Sequence, residues 1–386
     1  MTQFLLLVDA ILFGYFAFSV SYVLIFALFS FLPSRSKYPL HSAKSSFLIV
    51  IPSYKDDSVI FDSVQSALAV NYPTDKFSVI VVSEKMEEET NDKLQKLGIK
   101  LIKIESNNSS KANALQEAIT SCSNQKFDIV LILDADNIIE PDILDKINDV
   151  FYSGSRAIQL HRCAKNPQSP TAILDAISEE INNAIYRKGH NTIGLSSALI
   201  GSGMAIEYEW FAKNVYKLST AGEDKELEIL LFNDRIYINY LDSVKVYDEK
   251  VKNERIYFIQ RQWWIAAQFG SLQNSIKKLP GAIFTRNFDL ADKIIQWMLL
   301  PRVAMLGIIL LFAVLTSIID PVSGVKWWII FVILTFALTS VIPDYLITRA
   351  NIKVLKKIPL IFIFTLLNFF RIKGANKRFI HTIKGR

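Results

Sequence analysis

The amino-acid sequence predicts an α/β domain held between membrane-spanning helices, and three observations carry this prediction. Three short runs of β-branched and apolar residues alternate with helix-forming stretches within residues 45–275, a long apolar run precedes them, and further apolar runs follow them. With 386 residues, of which 51% are hydrophobic and 21% are charged, the chain is too apolar for a disordered protein and too long for a small disulfide-stabilised module.

The charge of the chain is unevenly divided. Residues 297–386 contain 12 basic and 2 acidic residues, so residues 1–296 carry a net charge of −4 although the whole chain carries +6. A surface that binds nucleic acid needs its cationic excess on the soluble domain, and we therefore exclude nucleic acid as a partner. Only Cys122 and Cys163 occur, and no CxxC or HExxH motif is present, which excludes a disulfide framework and a zinc site and indicates a reducing, cytoplasmic setting.

The first apolar run extends from Phe4 to Leu32 and is interrupted only by Asp9. About twenty residues suffice for a helix to cross a bilayer, and the apolar core of a signal peptide is shorter and follows a basic start. We therefore predict a transmembrane helix over residues 1–33 rather than a cleaved leader. Three basic residues follow the run: Arg35, Lys37 and Lys44. By the positive-inside rule they place the next domain on the cytoplasmic side of the inner membrane.

Two further apolar runs, at about Trp297–Ile319 and Lys326–Ile342, predict a transmembrane hairpin over residues 299–347. The segment Asp320–Gly324 is expected to form its turn, because proline and glycine do not continue a helix. Residues 280–298 are assigned to an interfacial segment that leads into the hairpin.

The last apolar run, Ile358–Phe370, is 13 residues long and precedes six basic residues. The shortness of the run and the basic residues that follow it disfavour a membrane crossing. We therefore predict an interfacial helix with a basic tail over residues 358–386. A fourth crossing is the alternative, because the run is strongly apolar.

Three runs in the middle of the chain read as buried parallel strands: FLIVIPSY (47–54), FSVIVVSE (77–84) and FDIVLILDAD (127–136). Ligands of open α/β sheets bind beyond the carboxyl ends of the strands, so the residues that end or follow each run are the candidates for a site. These are Tyr54, Lys55, Asp56, Ser83, Glu84, Asp134 and Asp136. No GxGxxG or GxxxxGK[ST] motif occurs, which argues against a Rossmann dehydrogenase and a P-loop ATPase.

Asp134 and Asp136 flank one small residue at a strand end, where both carboxylates can face a divalent cation that needs hard oxygen ligands. A solvated acidic turn is the alternative, and the apolar run before it favours the metal interpretation. Lys111 opens an amphipathic helix, where its ammonium group can reach a nucleotide phosphate. The alternative for Lys111 is an ordinary exposed lysine.

Three later motifs complete the set of candidates. GSGMAI (201–206) places two glycines around Ser202, which permits close approach of a ligand to the backbone, although a plain turn uses the same letters. Glu223 and Asp224 begin a helical pattern, in which acidic residues either complement the helix dipole or supply a general base. QRQWW (260–264) places two indole rings near an amide and a guanidinium group. Tryptophan faces bind sugars or cations, but adjacent tryptophans are as often core or interfacial anchors.

Six motifs in a fixed order resemble the membrane-integrated family 2 glycosyltransferases, which include the cellulose, chitin and hyaluronan synthases and many bacterial relatives. The motifs are IPSYKDD, SKANAL, LDADN, GSGMA, GEDKELE and QRQWW. The resemblance covers nearly the whole chain. It implies a GT-A fold for residues 45–275, a UDP-sugar donor, a Mg²⁺ or Mn²⁺ ion, and inverting transfer on the cytoplasmic face.

The resemblance also implies roles for residues on the donor side. Tyr54 and Asp56 correspond to the family's contact with the nucleotide, and Glu84 to its contact with the base or ribose. Lys111 corresponds to the phosphate-side lysine. Asp136 corresponds to the acid that holds the metal on the diphosphate, and Asp134 to the acid that contacts the nucleotide or the metal.

On the acceptor side, Asp224 corresponds to the acid of the family's ED pair and is the candidate base, with Glu223 beside it. The acceptor-side loop corresponds to Gly201, Ser202 and Gly203. Two departures from the family pattern occur. Glu84 stands where an aspartate is more frequent, and Trp263 takes the place of the arginine of QxxRW.

The second departure leaves Gln260, Arg261 and Trp264 of the QxxRW motif, so a charge at the diphosphate would have to come from Arg261. About three crossings in one chain also make a polymer channel hard to line. The expected reaction is inverting transfer from a UDP-sugar to a hydroxyl of a saccharide or lipid-linked acceptor, with export or assembly partners. Two alternatives stay open: a polyprenyl-phosphate sugar synthase and a non-catalytic subunit of a polysaccharide export assembly.

Overall fold

The computed structural model describes residues 2–33, 38–105, 110–165, 167–220 and 222–370. Several basic residues that predict membrane orientation lie outside the described residues, namely Arg35, Lys37 and those of the tail at 371–386. Lys44 is described, and it forms an ion pair with Asp145 of the α/β domain.

The described residues form eight strands. They are β1 (Phe47–Tyr54), β2 (Phe77–Glu84), β3 (Lys100–Ile104), β4 (Ile129–Ile132), β5 (Ile138–Ile139), β6 (Ala157–Ala164), β7 (Met204–Glu207) and β8 (Ile238–Asp248).

Sixteen α-helices accompany the strands in the same part of the chain. Nine precede the last strand: α1 (Thr2–Phe29), α2 (Ile60–Leu68), α3 (Glu88–Gln95), α4 (Lys111–Thr120), α5 (Ile143–Tyr152), α6 (Pro170–Asn182), α7 (His190–Thr192), α8 (Tyr208–Asn214) and α9 (Glu223–Asn233). Seven follow it: α10 (Glu254–Ser275), α11 (Leu279–Phe284), α12 (Phe288–Met298), α13 (Arg302–Ile319), α14 (Pro321–Ser340), α15 (Arg349–Val354) and α16 (Ile358–Phe370). A π-helical segment, Asn183–Gly189, joins α6 to α7.

The strands form one mixed sheet in the order β3-β2-β1-β4-β7-β6-β8-β5. The three runs that predict buried strands form β1, β2 and β4, and β1 pairs in parallel with both of the others. The prediction of parallel strands is confirmed for this half of the sheet. No sequence pattern predicts β7, which runs antiparallel between β4 and β6 and brings the preceding glycine motif to the end of β4.

Two hydrophobic clusters cover the two faces of the sheet. Alternate residues of β1 divide between them, with Leu48 and Val50 in one cluster and Phe47, Ile49 and Ile51 in the other. A strand that is buried on both faces has no polar face, which explains why its sequence is continuously apolar and easy to recognise.

Three helices in the described residues are long and apolar enough to cross a membrane, namely α1, α13 and α14. They share a third hydrophobic cluster, centred on the fully buried Trp327. Asp9 of α1 forms an ion pair with Lys326 of α14 and accepts a hydrogen bond from Nε1 of Trp327 at 2.9 Å. The one acidic interruption in the first apolar run therefore joins two candidate spans.

The two apolar runs that predict the hairpin form consecutive helices, α13 and α14, whose bounds differ from those of the runs. The first helix begins at Arg302 rather than Trp297, because Pro301 separates it from α12. The predicted turn at Asp320–Gly324 reduces to Asp320, which caps α14 through the backbone N–H of Val322 at 3.1 Å. Proline is favoured at the first position of a helix because its missing N–H costs no hydrogen bond there, so Pro321 begins α14 instead of preventing it.

The segment predicted to be interfacial, residues 280–298, forms most of α11 and all of α12. Helix α12 packs against the C-terminal half of α1 through a polar cluster. In this cluster, the Tyr22 hydroxyl donates to Asp292 at 2.6 Å, and the Tyr22 oxygen lies 2.9 Å from Nε2 of His190. The ring of Phe26 stacks on His190. These contacts attach α1 directly to the α/β domain.

Helix α16 is the last described element, and its 13 residues are too few for it to be among the candidate spans. It packs on α13 where the Phe362 ring lies over Gly307, a position at which a Cβ atom would come within 2.2 Å of the ring. It also packs on α10, where the ring centroids of Phe258 and Phe364 are 4.1 Å apart. The helix therefore closes the junction between the α/β domain and the hairpin.

Candidate active site

One continuous cavity of about 1200 Å³ extends from the carboxyl ends of the parallel strands to the hairpin helices. Twelve residues predicted from the sequence line it: Tyr54, Asp56, Glu84, Lys111, Asp134, Gly201, Glu223, Asp224, Gln260, Arg261, Trp263 and Trp264. Asp136, Ser202 and Gly203 lie next to these residues in the chain but do not line the cavity. The fold thus brings residues of all six motifs, together with Glu84, to one space.

Lys111 lies near the centre of the donor-side wall. It is the first residue of α4, which Ser110 caps by accepting the backbone N–H of Asn113 at 3.1 Å. Its ammonium group forms an ion pair with Asp134 and donates to the carbonyl oxygen of Gly201 at 2.7 Å. It also lies 3.9 Å from Oε1 of Glu223. A single cation therefore connects three elements, namely the carboxyl end of β4, the glycine turn and the start of α9.

The strand-end acids Asp134 and Asp136 have different surroundings. Asp134 faces the cavity, and its second oxygen lies 3.9 Å from the guanidinium group of Arg162. Asp136 is only 4% exposed, and its carboxylate accepts the backbone N–H of Glu249 at 3.1 Å. Asp134 thus presents the accessible carboxylate, and Asp136 lies behind it beside the end of β8.

The nucleotide-side residues occupy the ends of β1 and β2. Tyr54 ends β1 directly opposite Glu84, which ends β2 and is buried in the cavity wall. The ammonium group of Lys85 lies 5.3 Å from the centroid of the Tyr54 ring. The carboxylate of Asp56 accepts the backbone N–H of Tyr54 at 3.2 Å. The end of the sheet therefore presents an aromatic ring and acids side by side.

The acidic pair at the start of α9 faces the same cavity. Burial raises the pKa of Glu223 to about 8, with a further rise from the charges of Asp224 and Asp134 that the ammonium group of Lys111 opposes. Asp224 accepts the backbone N–H of Lys225 at 2.9 Å and lies 3.4 Å from the ammonium group of that lysine. At neutral pH, Glu223 therefore retains its proton for most of the time.

The glycine turn joins the two walls of the cavity. Gly201 and Gly203 have φ values of +85° and +62°, which side-chain-bearing residues rarely adopt. A Cβ atom at Gly203 would also come within 3.2 Å of Val246. In the described residues, the buried hydroxyl of Ser202 has no hydrogen-bond partner. Glycine is needed at these positions for backbone conformation and space, so the motif is more than a surface turn.

The QRQWW motif lies inside α10. Arg261 donates to Asp175 of α6 at 2.6 Å, and its guanidinium group packs on the rings of Tyr257 and Trp264 at 4.8 and 4.6 Å from their centroids. Arg261 is thus held toward α6. Within the described part of the chain, the buried Oε1 of Gln260 and Nε1 of Trp263 have no hydrogen-bond partner.

A buried ionic cluster, to which the cavity-lining Arg162 and Arg187 belong, is not predicted by any motif. Glu179 of α6 accepts from Arg162 at 2.9 Å and from Arg187 at 3.3 Å, and it also pairs with Lys250 at 3.4 Å. These three cations hold the pKa of Glu179 well below its usual range although burial opposes them. The available sequence signal is the charged residue Arg162 within the run AIQLHRCA, which forms the largely buried strand β6.

Of the two strand-end carboxylates, that of Asp134 lines the cavity and that of Asp136 lies behind it, so a hard divalent cation there would have to be held partly by the substrate. Asp134 and Asp136 supply carboxylate oxygens, which Mg²⁺ and Mn²⁺ prefer. Among the described residues, no group of three or more His, Cys, Asp and Glu side chains is arranged to hold a metal. An ion at this place would therefore depend on phosphate oxygens of a ligand for part of its coordination, as Mg²⁺ sites often do.

Comparisons with known proteins identify the family of the chain. Residues 44–267, more than half of the chain, match the family described as "Glycosyltransferase like family 2". The chain belongs to this family and is a glycosyltransferase. A non-catalytic role is therefore set aside. No curated protein matches the sequence of this chain.

Two solved structures illustrate the fold. The mannosyltransferase PcManGT from Pyrobaculum calidifontis, in complex with GDP-Man and Mn²⁺, is 16% identical with a TM-score of 0.55, and the match covers 86% of this chain and 97% of that one. S. aureus TarS 1-349 in complex with UDP-GlcNAc is 13% identical with a TM-score of 0.40, covering 85% of this chain and 89% of that one. The first likeness supports a GT-A-like fold. The TM-score of the second likeness is too low for it to support an argument.

Proposed function

We propose that the enzyme transfers a sugar from a UDP-sugar to an acceptor hydroxyl, with inversion, at the cytoplasmic face of a membrane. The observation that carries the proposal is that Lys111, Asp134 and Asp224 line one cavity at the carboxyl ends of the parallel strands. This location is where open α/β sheets bind ligands. The residues on the two sides of the cavity divide the work of binding the donor and activating the acceptor.

Lys111 is the group that we assign to the donor diphosphate. Its ammonium group bonds Asp134 and the carbonyl of Gly201, so it is already oriented toward the cavity. Phosphate oxygens that enter beside it would take the place of Asp134 as partners of the cation. Charge-assisted hydrogen bonds of this kind stabilise the negative charge that develops on the leaving UDP.

Asp134 and Asp136 would hold a Mg²⁺ or Mn²⁺ ion. When bound, such an ion acts as a Lewis acid that stabilises the charge on the leaving diphosphate. The Mn²⁺ in the PcManGT complex supports the use of a divalent ion by this fold. In this chain, the bond from Glu249 fixes the carboxylate of Asp136, and Asp134 balances the charge of Lys111.

Asp224 is the proposed general base. In the transfer step, the acceptor oxygen forms a bond to the anomeric carbon of the sugar while the bond from that carbon to the β-phosphate oxygen breaks. The acceptor proton moves to the Asp224 carboxylate, and the electron pair of the broken bond leaves with UDP. One displacement inverts the anomeric configuration. Glu223 is the less favourable base of the two, because its raised pKa favours the protonated form near neutral pH.

The membrane location rests on α1, α13 and α14, which are candidate spans, and on the basic residues around them. The positive-inside rule favours a cytoplasmic position for the α/β domain. Tyr15 of α1 donates to the carbonyl of Met298 at 3.0 Å, so the helix reaches the domain directly before the hairpin begins. These contacts support a cavity that opens close to the bilayer surface.

The proposal is tested by UDP release from detergent-purified protein. Incubation with a panel of UDP-sugars and Mn²⁺ is expected to release UDP from one of them, and a chelator is expected to abolish the release. Mass analysis of the product identifies the linkage formed. Release of GDP from a GDP-sugar, without release of UDP from any UDP-sugar, would contradict the assignment of the donor.

A polyprenyl-phosphate sugar synthase is the second candidate function. The observation that favours it is the apolar end of the cavity, which is lined by hairpin residues such as Leu306 and Leu310. In that reaction, a lipid phosphate oxygen rather than a hydroxyl attacks the sugar and needs no base. Transfer to a polyprenyl phosphate that survives Asp224→Asn would favour this second function.

A further inference from the structure

The cavity has two chemically different ends. The donor-side end is lined by the polar residues described above. The other end, the apolar arm, lies between α13, α14 and α16. Its walls are formed by Leu306, Leu310, Val314, Phe331, Leu338 and Phe362. With about 1200 Å³ in total, the cavity exceeds the usual volume of a small-ligand site, which is roughly 300–1000 Å³. The apolar arm is therefore space for a second ligand.

Two arginines lie where the polar end meets the apolar arm. Arg261 of α10 and Arg302 of α13 contact the same face of α6, one turn apart. Arg261 bonds Asp175, and Arg302 donates to the carbonyl oxygen and the hydroxyl of Ser178, both at 3.1 Å. Both arginines also line the same cavity. We call Arg261 and Arg302 the arginine pair.

The arginine pair has unused hydrogen-bonding capacity. In the described residues, Nη1 of Arg302 and Nε of Arg261 are buried and have no hydrogen-bond partner. Asp175 bonds one member of the pair, and the nearby Glu179 is already shared among three other cations. Neighbouring buried cations with open donors are costly unless an anion joins them. A phosphate group has the charge and the acceptor oxygens to do so.

We propose that the acceptor is a membrane lipid whose phosphate-bearing head group contacts the arginine pair and whose hydrocarbon chain lies in the apolar arm. This inference rests on the proposed function, because it assigns the acceptor of that reaction. The apolar arm is continuous with the space beside Asp224, so the head group, or a saccharide attached to it, enters the active site directly.

The walls of the apolar arm exclude a free saccharide as its occupant. Sugar hydroxyls placed among leucine and phenylalanine side chains would lose their hydrogen bonds to water without replacement. A hydrocarbon chain gains about 0.8 kcal/mol for each CH₂ group that it buries. The arm lies beside candidate membrane spans, so a lipid reaches it without leaving the apolar phase.

The proposal is tested by measuring lipid binding to the purified full-length protein, with native mass spectrometry as the readout. The probes are long-chain polyprenyl phosphate, the matching polyprenol without phosphate, and the short-chain geranyl phosphate. The long-chain phosphate is expected to bind at least about tenfold more tightly than either of the others. Equal binding of polyprenol and polyprenyl phosphate would overturn the role of the arginine pair.

A matched pair of variants tests where the hydrocarbon chain of the lipid binds. Leu310→Trp is expected to weaken binding of the long-chain phosphate about tenfold by filling the arm, with geranyl phosphate unaffected. Val332→Trp on α14 is the control, because Val332 is 62% exposed and does not line the cavity. The same loss in both variants, or no loss in either, would overturn the proposal.

The head-group contact is tested separately. Arg302→Gln is expected to weaken binding of both phosphate lipids without changing that of polyprenol, and Arg302→Lys is expected to restore part of the loss. A merely structural role for Arg302 would lower the binding of all three lipids together. The binding panel on the unaltered protein decides the proposal even if a variant does not fold.

Failure of this inference is distinguishable from failure of the proposed function. Donor hydrolysis in the absence of lipid reports the function alone. UDP release without selective lipid binding overturns only the acceptor assignment. Selective lipid binding without UDP release from any UDP-sugar contradicts only the donor assignment. A glycosylated product from polyprenyl phosphate itself supports the lipid site and identifies a phosphate oxygen as the acceptor atom.

Discussion

The donor-side and membrane-side walls of the cavity differ in how their central cations are paired, although in the described residues the donor side also has buried atoms without a hydrogen-bond partner, such as the Ser202 hydroxyl and Nε of Arg162. On the donor side, Lys111 has Asp134 and the Gly201 carbonyl as partners, and Asp136 has the Glu249 backbone. On the membrane side, Arg302, Gln260 and Trp263 each keep a buried atom without a partner in the described residues. Buried polar groups are normally satisfied, so each exception calls for an explanation.

The difference indicates how the two substrates are accommodated. In the proposed reaction, UDP and a metal ion would replace partners that the donor-side groups already have. On the membrane side, the open donors lie beside an apolar space, and the proposed lipid would supply the missing acceptors. The predictions below test the two walls separately, beginning with the largest effect.

Removal of the proposed base is expected to have the largest effect. Asp224→Asn is expected to lower the transfer rate by about 10²–10⁴-fold while leaving UDP binding unchanged, because the amide keeps the shape of the side chain but accepts no proton. Transfer rates and the affinity for UDP are the measurements. Asp62→Asn is the control, because Asp62 is exposed and lies far from Asp224 in the sequence. Substantial transfer by Asp224→Asn would remove Asp224 from the base role.

Loss of the donor-side cation comes next. Lys111→Met is expected to raise the KM for the donor about 10–100-fold, because a charge-assisted hydrogen bond contributes roughly 1.5–3 kcal/mol. Initial rates over a range of UDP-sugar concentrations measure the change. Lys93→Met removes an exposed lysine and should leave the KM unaltered. An unchanged KM in Lys111→Met would separate Lys111 from the diphosphate.

The pH dependence of stability tests the environment of Glu223. Between the pKa of about 4.3 in the unfolded chain and about 8 in the fold, the folded state binds more protons at this position, so the free energy of unfolding falls as the pH rises. Glu223→Gln removes this dependence. The drop in Tm between pH 5 and pH 8 in detergent is expected to be smaller in the variant by ~3 °C. Parallel pH profiles in both proteins would contradict the buried, protonated carboxyl.

The smallest effect is expected at the contact between α1 and α14. Lys326→Met leaves Asp9 with the Trp327 bond alone. Polar contacts between membrane helices contribute about 1 kcal/mol or less, so Tm in detergent should fall by only a few degrees with UDP release unchanged. A loss of UDP release at an unchanged Tm would mean that this contact acts on the catalytic domain.

The sequence predicts the donor-side wall better than the membrane-side wall for a physical reason. Parallel strands buried on both faces leave continuous apolar runs, and the residues at their ends become candidates at once. Strand β7 has only four residues and gives no comparable signal. Arg302 and Asp175 lie in helices far apart in the chain, and only tertiary packing brings Arg302 beside Arg261. The sequence pattern predicts that Pro321 prevents a helix, whereas Pro321 begins α14. This position is favourable because Asp320 caps the helix directly before it.

The central claim is that one cavity holds the donor between the strand-end acids and the base. The most direct measurement is a structure of the Asp224→Asn variant with a UDP-sugar and Mn²⁺. We expect the diphosphate to lie at Lys111 and Asp134 and the anomeric carbon to face position 224 from the side of the apolar arm. A donor bound with its sugar directed away from position 224, or outside this cavity, would contradict this claim.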